Sequence, residues 1–302
     1  MSEFRHILCP IDFSDASRHA LDQAIAIAGW YESHVTGLHV IAPAFAFEPP
    51  MLLAERGNLE ELGVDVDIDQ VRARLDDWLA AATAARVQSE GRICEGRPAE
   101  SVLAFARSLP ADLIVMGTNG RSGFERFVLG SVTEKVLRNA PCPVLTAPPR
   151  AVTKARLPFR QILCPVDFSE PSLIALRTAF SMAEEADARL IVLNVVDWPG
   201  GNSVLVTASG DREVLGQVER QAAQRLESFI TDESKVWSRP EARVAIGKPY
   251  RQILAAAENM AADLIVIGVH GRNALGLALF GSTTNQVVRR APCPVLTIRT
   301  AH

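Results

Sequence analysis

The segment Phe4–Ser14 reads FRHILCPIDFS, and Phe159–Ser169 reads FRQILCPVDFS; nine of eleven positions agree at an offset of 155. A second pair lies deeper in each half. Leu113–Val132 (LIVMGTNGRSGFERFVLGSV) returns as Leu264–Thr283 (LIVIGVHGRNALGLALFGST) at an offset of 151, and Ala140–Thr146 (APCPVLT) recurs unchanged at Ala291–Thr297. Separated blocks repeated in the same order mean one module written twice. The offset falls by four between the first two blocks, so the second copy is shorter there, and residues 197–210 after its second strand are the place for it. A chain of 302 residues suits two domains of ordinary size. They are expected over 1–148 and 159–302, joined by a polar, proline-bearing linker over 149–158.

Within the first module, short apolar runs alternate with amphipathic stretches. Phe4–Ile11 reads as a buried strand running into a turn, and Ser14 is placed to cap the helix that follows, whose stripe is Leu21, Ala24, Ile25 and Ala28. His34–Val40 is the second strand. The stretch from Ile41 to Ile68, with Pro43, Pro49 and Pro50, is too long for a routine connection and reads as a functional flap. Asp69–Arg86 and Ala99–Ser108 read as helices, Val87–Cys94, Ala111–Gly117 and Pro143–Ala147 as strands, and Ser131–Asn139 as the last helix. This alternation predicts an α/β fold: two tandem doubly wound domains, each a five-stranded parallel sheet with helices on both faces.

The net charge of −4 and pI near 5.9 argue against duplex nucleic acid, whose binding needs a basic face. The five cysteines (9, 94, 142, 164, 293) form no CxxC, which favours reduced structural thiols over disulfides or zinc. The six histidines show no metal-site spacing. The start of the chain lacks a secretory h-region and no apolar run reaches the roughly 18–20 residues of a membrane span. The expectation is a cytoplasmic protein, with no membrane and no nucleic acid among its partners.

The chemistry is concentrated at the glycine loops. Each half carries G-x2-G-x9-G-S after a buried strand: Gly117, Gly120, Gly130 and Ser131, then Gly268, Gly271, Gly281 and Ser282. The spacing fits neither GxxxxGK[ST] nor GxGxxG. Strand, glycine loop and helix start together present backbone N–H groups and a helix dipole to an anion. The alternative is that Ser131 and Glu134 form a capping box on an empty loop. Asp12 and Asp167, at the carboxyl ends of the first strands, face the same edge. There a carboxylate meets ribose hydroxyls or a phosphate-bound magnesium ion, or makes only an Asx turn.

Together these motifs resemble the universal stress protein family in its tandem two-domain form. The resemblance covers nearly the whole chain. It implies an adenine-nucleotide α-hydrolase-like fold of strand order 3-2-1-4-5 and places the chain with the ATP-binding branch. By that resemblance Asp12 and Asp167 meet the ribose or the metal, and Val40 and Val195 meet adenine. Gly117, Gly120, Gly130, Ser131 and their repeats Gly268, Gly271, Gly281 and Ser282 cradle the phosphates. Arg121 and Arg272 follow the second glycine as the basic position. Pro10, Met116 and Val132, with Pro165, Ile267 and Thr283, complete the nucleotide-binding set. The resemblance also implies pairing through the last strands, here as an internal pseudo-dimer, and allows a homodimer.

The function expected is ATP binding with Mg2+ in a nucleotide-responsive stress regulator. A rival is an enzyme, a slow ATPase or self-phosphorylating protein with Ser131 or Ser282 as acceptor, although no general base is evident. Others are a nucleotide-free interaction scaffold and a binder of AMP or a cyclic nucleotide.

Overall fold

The computed structural model describes residues 4–42, 67–118, 129–148, 157–197, 209–233, 240–269 and 281–299. In the first half they form β1 (His6–Pro10), α1 (Asp15–Tyr31), β2 (His34–Ile41), α2 (Ile68–Ala84) and β3 (Gln88–Glu95). These are followed by α3 (Pro98–Ser108), β4 (Leu113–Gly117), α4 (Ser131–Asn139) and β5 (Val144–Ala147). The second half repeats the series as β6 (Gln161–Val166), α5 (Glu170–Ala186), β7 (Arg189–Val196), α6 (Ser209–Glu233) and β8 (Glu241–Ile246). It closes with α7 (Pro249–Asn259), β9 (Leu264–Gly268), α8 (Ser282–Arg290) and β10 (Val295–Ile298).

The strands make one ten-stranded sheet of order β3-β2-β1-β4-β5-β10-β9-β6-β7-β8. Each half therefore has the order 3-2-1-4-5, counted from its own first strand, and its internal pairings are parallel. The halves join where β5 and β10 run antiparallel, with Leu145 opposite Leu296, Thr146 opposite Val295 and Val144 opposite Thr297. Leu145 faces its own repeat, and Val144 and Thr146 each face the repeat of the other, so the junction is self-complementary. Thr146 donates to the Val295 carbonyl at 3.3 Å and Thr297 to the Val144 carbonyl at 3.0 Å.

Strand alternation builds two apolar layers. Ile7, Cys9, Leu113 and Val115 face one side with α1 and α2; Leu8, Ile114 and Met116 face the other with α3 and α4. The second half does the same: Ile162, Cys164, Leu264 and Val266 against Leu163, Ile265 and Ile267. Both faces are covered, which is why these strands read as continuous apolar runs.

Candidate functional site at the carboxyl edge of the sheet

In each half the chain winds outward from the first strand through the second and third, then crosses back to the fourth. The topological reversal lies between β1 and β4, and between β6 and β9, which pair directly. In open α/β sheets the crevice beyond the carboxyl ends at that point is where ligands bind.

Two groups converge there. The first is the turn after β1. Asp12 Oδ1 accepts from the Ser14 amide at 3.0 Å and from Ser14 Oγ at 2.5 Å, while Ser14 Oγ accepts from the Ser17 amide at 3.2 Å as the N-cap of α1. Asp167, Ser169 and Ser172 repeat this arrangement at 3.0, 2.5 and 3.4 Å. The Asx turn weighed from the sequence is thus present in both halves and occupies Oδ1. Between the aspartate and the serine sits an aromatic residue in the left-handed region, Phe13 at φ 62° and Phe168 at φ 63°. For a bulky side chain that backbone is disfavoured and persists only where the surroundings impose it.

The surroundings are alike in the two halves although several residues differ. His39 Nδ1 lies 2.7 Å from the Ile11 carbonyl, which makes that nitrogen the donor, and Asn194 Nδ2 donates to the Val166 carbonyl at 2.8 Å. Trp78 meets Phe13 edge-on at 5.3 Å, and Phe229 meets Phe168 edge-on at 5.2 Å. The Arg74 guanidinium stacks 4.3 Å over Phe13 and that of Arg225 stacks 4.1 Å over Phe168. The first half adds Arg18, 3.9 Å over Trp78. Sequence reading missed this clamp, because His to Asn and Trp to Phe hide an identity of contact. The available signal was that Arg74 and Arg225 stand 151 apart.

The second group is the helix start after β4. The capping box weighed as the alternative at Ser131 does not form. Gly130, with extended φ −60° and ψ 141°, is the N-cap, Ser131 is the first helical residue, and no side chain caps the turn. Glu134 instead pairs with Arg138 at 2.7 Å. Gly281 caps α8 in the same uncapped manner. The first turn is fixed from beneath: Thr133 donates to the Gly117 carbonyl at 2.9 Å and Thr284 to that of Gly268 at 2.8 Å. The Gly130 amide donates to the Thr118 carbonyl at 2.9 Å, and the Gly281 amide to Val269 at 3.0 Å. An uncapped helix N-terminus leaves its first N–H groups directed outward with the positive end of the dipole.

Of the residues named from the sequence, Asp12, Gly117, Gly130, Ser131 and Val132 lie on these two groups, as do Asp167, Gly268, Gly281, Ser282 and Thr283. Pro10 and Pro165 lie in β1 and β6 near their carboxyl ends; Val40 and Val195 stand near the ends of β2 and β7, partly buried. Met116 and Ile267 are core residues, at 4% and 5% exposure, facing the layer that holds α4 and α8. Gly120, Arg121, Gly271 and Arg272 lie outside the described residues, as do most of the 41–68 flap and the loop tips. Among the described residues no group of three or more His, Cys, Asp or Glu is placed to hold a metal, and no helix is long and apolar enough to cross a membrane.

The fold and edge define a tandem, doubly wound α/β protein with a crevice at the carboxyl edge of the sheet in each half. The sequence profile described as the Universal stress protein family matches residues 3–148 and 158–299, and the chain belongs to that family. A universal stress protein of Methanocaldococcus jannaschii is 35% identical over 149 residues, covering 47% of this chain and 81% of that protein. One from Mycolicibacterium smegmatis is 26% identical over 302 residues, covering 97% and 96%. The crystal structure of a universal stress protein from Archaeoglobus fulgidus covers 98% of this chain and 99% of its own, with a TM-score of 0.66 at 22% identity, a likeness of fold.

Proposed function

We propose that each half binds one adenine nucleotide, ATP with Mg2+, and that the protein is a nucleotide-responsive regulator of the stress response in the cytoplasm. One observation carries the reading. In both halves a helix start without a side-chain cap and a carboxylate-bearing turn share the crevice at the topological reversal. Phosphates would take the N–H groups of Ser131 and Val132, or of Ser282 and Thr283, together with the glycine loop and Arg121 or Arg272. The ribose or the metal would meet Asp12 or Asp167, and adenine the ends of β2 and β7 at Val40 and Val195. Magnesium fits as an ion carried in by the phosphates, since it keeps several waters and needs one or two carboxylates; these chains supply one per site. The β5–β10 junction makes the molecule an internal pseudo-dimer, so that two sites report through one sheet.

The test is calorimetric titration of nucleotide-freed protein with Mg-ATP, with nucleotide released on denaturation identified by chromatography. Two ATP per chain are expected. Ser131→Pro removes one N–H at a helix position that accepts proline, as Pro98 and Pro249 do at the starts of α3 and α7. It should weaken the first site about tenfold or more, the worth of a hydrogen bond to a charged group. Absence of heat and of released nucleotide would reject the reading.

A further inference from the structure

The strained turn that carries each crevice aspartate also carries a cation. Arg74 lies on α2 and Arg225 on α6, and their guanidinium carbons stand 4.3 and 4.1 Å from the ring centroids of Phe13 and Phe168, the residues that follow Asp12 and Asp167. Both arginines are exposed. Among the described residues neither guanidinium is held by an ion pair or a hydrogen bond, whereas Arg92, Arg97 and Arg243 each meet a glutamate. Arg74 makes no such pair even with Asp77, three residues on along α2. The neighbours change between the halves: His39 becomes Asn194, Trp78 becomes Phe229, and Arg18 has Leu173 at its matching position. The stacked arginine stays. Covering an aromatic ring needs only an apolar stem, which methionine or lysine would supply. Stacking on a ring instead fixes the guanidinium plane and leaves its N–H edges free to take a planar or tetrahedral anion. The charge has a place as well. A polyphosphate in the crevice meets the like charge of Asp12 or Asp167, and the stacked arginine sets an opposing charge on the same turn.

We propose, resting on the nucleotide reading of the crevice, that Arg74 and Arg225 are phosphate-binding cations of the first and second sites, each held flat by its phenylalanine. The arginines then serve the phosphate tail and not the nucleoside. Affinity at each site should rise with the number of phosphates on the ligand, and that rise should depend on the arginine of the same half. Adenosine should be indifferent to either one.

The test titrates the full chain by calorimetry with Mg-ATP, AMP, adenosine and inorganic tripolyphosphate. Arg74→Met keeps an apolar stem over Phe13 and removes the charge. It should weaken ATP about tenfold or more at one site of the two, the worth of a hydrogen bond between charged groups, weaken AMP less and leave adenosine unchanged. Arg225→Met should do the same at the other site. Arg74→Lys returns the charge without the planar fork and should recover part of the loss. Should Arg74→Met lower the urea midpoint, Arg74→Gln is read beside it. Equal losses for adenosine and ATP would mean that the arginine only supports the turn, and ATP binding unmoved by both methionine variants would mean that it serves no ligand. Either result overturns the proposal and leaves the nucleotide reading standing. A wild type that takes tripolyphosphate but not ATP would reject the nucleotide; the proposal is then read with tripolyphosphate, where a loss in the methionine variants supports it and no loss overturns it. A wild type that takes neither overturns both.

Discussion

An added Cβ at Gly117 would stand 2.9 Å from the main chain of Ala16 in the first turn of α1, and one at Gly268 would stand 2.8 Å from that of Pro171. Neither obstacle is a flexible side-chain tip that can swing away. The glycine at the end of the fourth strand is therefore required by helix–strand packing, whatever lies in the crevice. Gly117→Ala should cost about 1–3 kcal/mol, the penalty of overpacking, measured as a fall in the urea midpoint at constant slope. Stability equal to wild type would remove the packing role. Phe13 gives a sharper test of strain. Phe13→Ala loses the contacts to His39, Trp78 and Arg74 and keeps the unfavourable φ of 62°. Phe13→Gly loses the same contacts and releases the backbone, so it should be the more stable of the two by about 1 kcal/mol, the left-handed cost of a residue with a Cβ. At this scale the sequence displayed which positions matter, through the repeat, but not why. A glycine that lets a ligand approach and a glycine that lets a helix approach have the same letter, and only the distance to Ala16 separates them.

Element boundaries were legible to within a residue or two, because the apolar period and the serine caps are local. Ser14 and Ser169 do cap α1 and α5. Ser131 does not cap α4, and the reason is tertiary: Thr133 ties the first turn to the Gly117 carbonyl, which places Gly130 at the cap and Ser131 inside the helix. The sheet junction depends on a similar pair of threonine hydroxyls. Thr297→Val is nearly isosteric and deletes the 3.0 Å bond to Val144; it should cost about 1 kcal/mol. Thr146→Val deletes the longer 3.3 Å bond and should cost less. Urea midpoints in that order support a junction that contributes to folding stability; two silent variants would mean that water replaces both bonds on opening. The outer strands are guarded differently. β3 and β8 present Glu90 with Arg92 at 2.7 Å and Glu241 with Arg243 at 2.6 Å, charges that discourage pairing with another chain.

At the scale of the whole molecule the halves are coupled by more than the β5–β10 junction. Tyr31, near the end of α1, lies beside Glu185, near the end of α5, close enough for that carboxylate to act on its phenol. Nothing in the repeat foretold this contact, since it joins two non-equivalent positions across the junction. It gives the molecule a measurable alkaline signature, because the chain has two tyrosines and they are shifted in opposite senses. Burial, then the neighbouring Glu185 carboxylate, pushes Tyr31 above the ordinary 10.0, while Tyr250 is lowered by Arg251. Phenolate absorbance should therefore rise in two separate steps, Tyr250 first. For Tyr31 the folded state holds its proton more tightly than the unfolded state. Its contribution to stability is complete below the unfolded value and is lost as pH rises through 10.0 toward the folded value. Unfolding free energy measured against pH should thus fall more steeply above 10.0 in the wild type than in Tyr31→Phe, which has no proton to lose. Parallel slopes in the two proteins, or one merged tyrosine step, would show that the α1–α5 contact does not persist in solution, and would leave the ten-stranded sheet as the link between the halves.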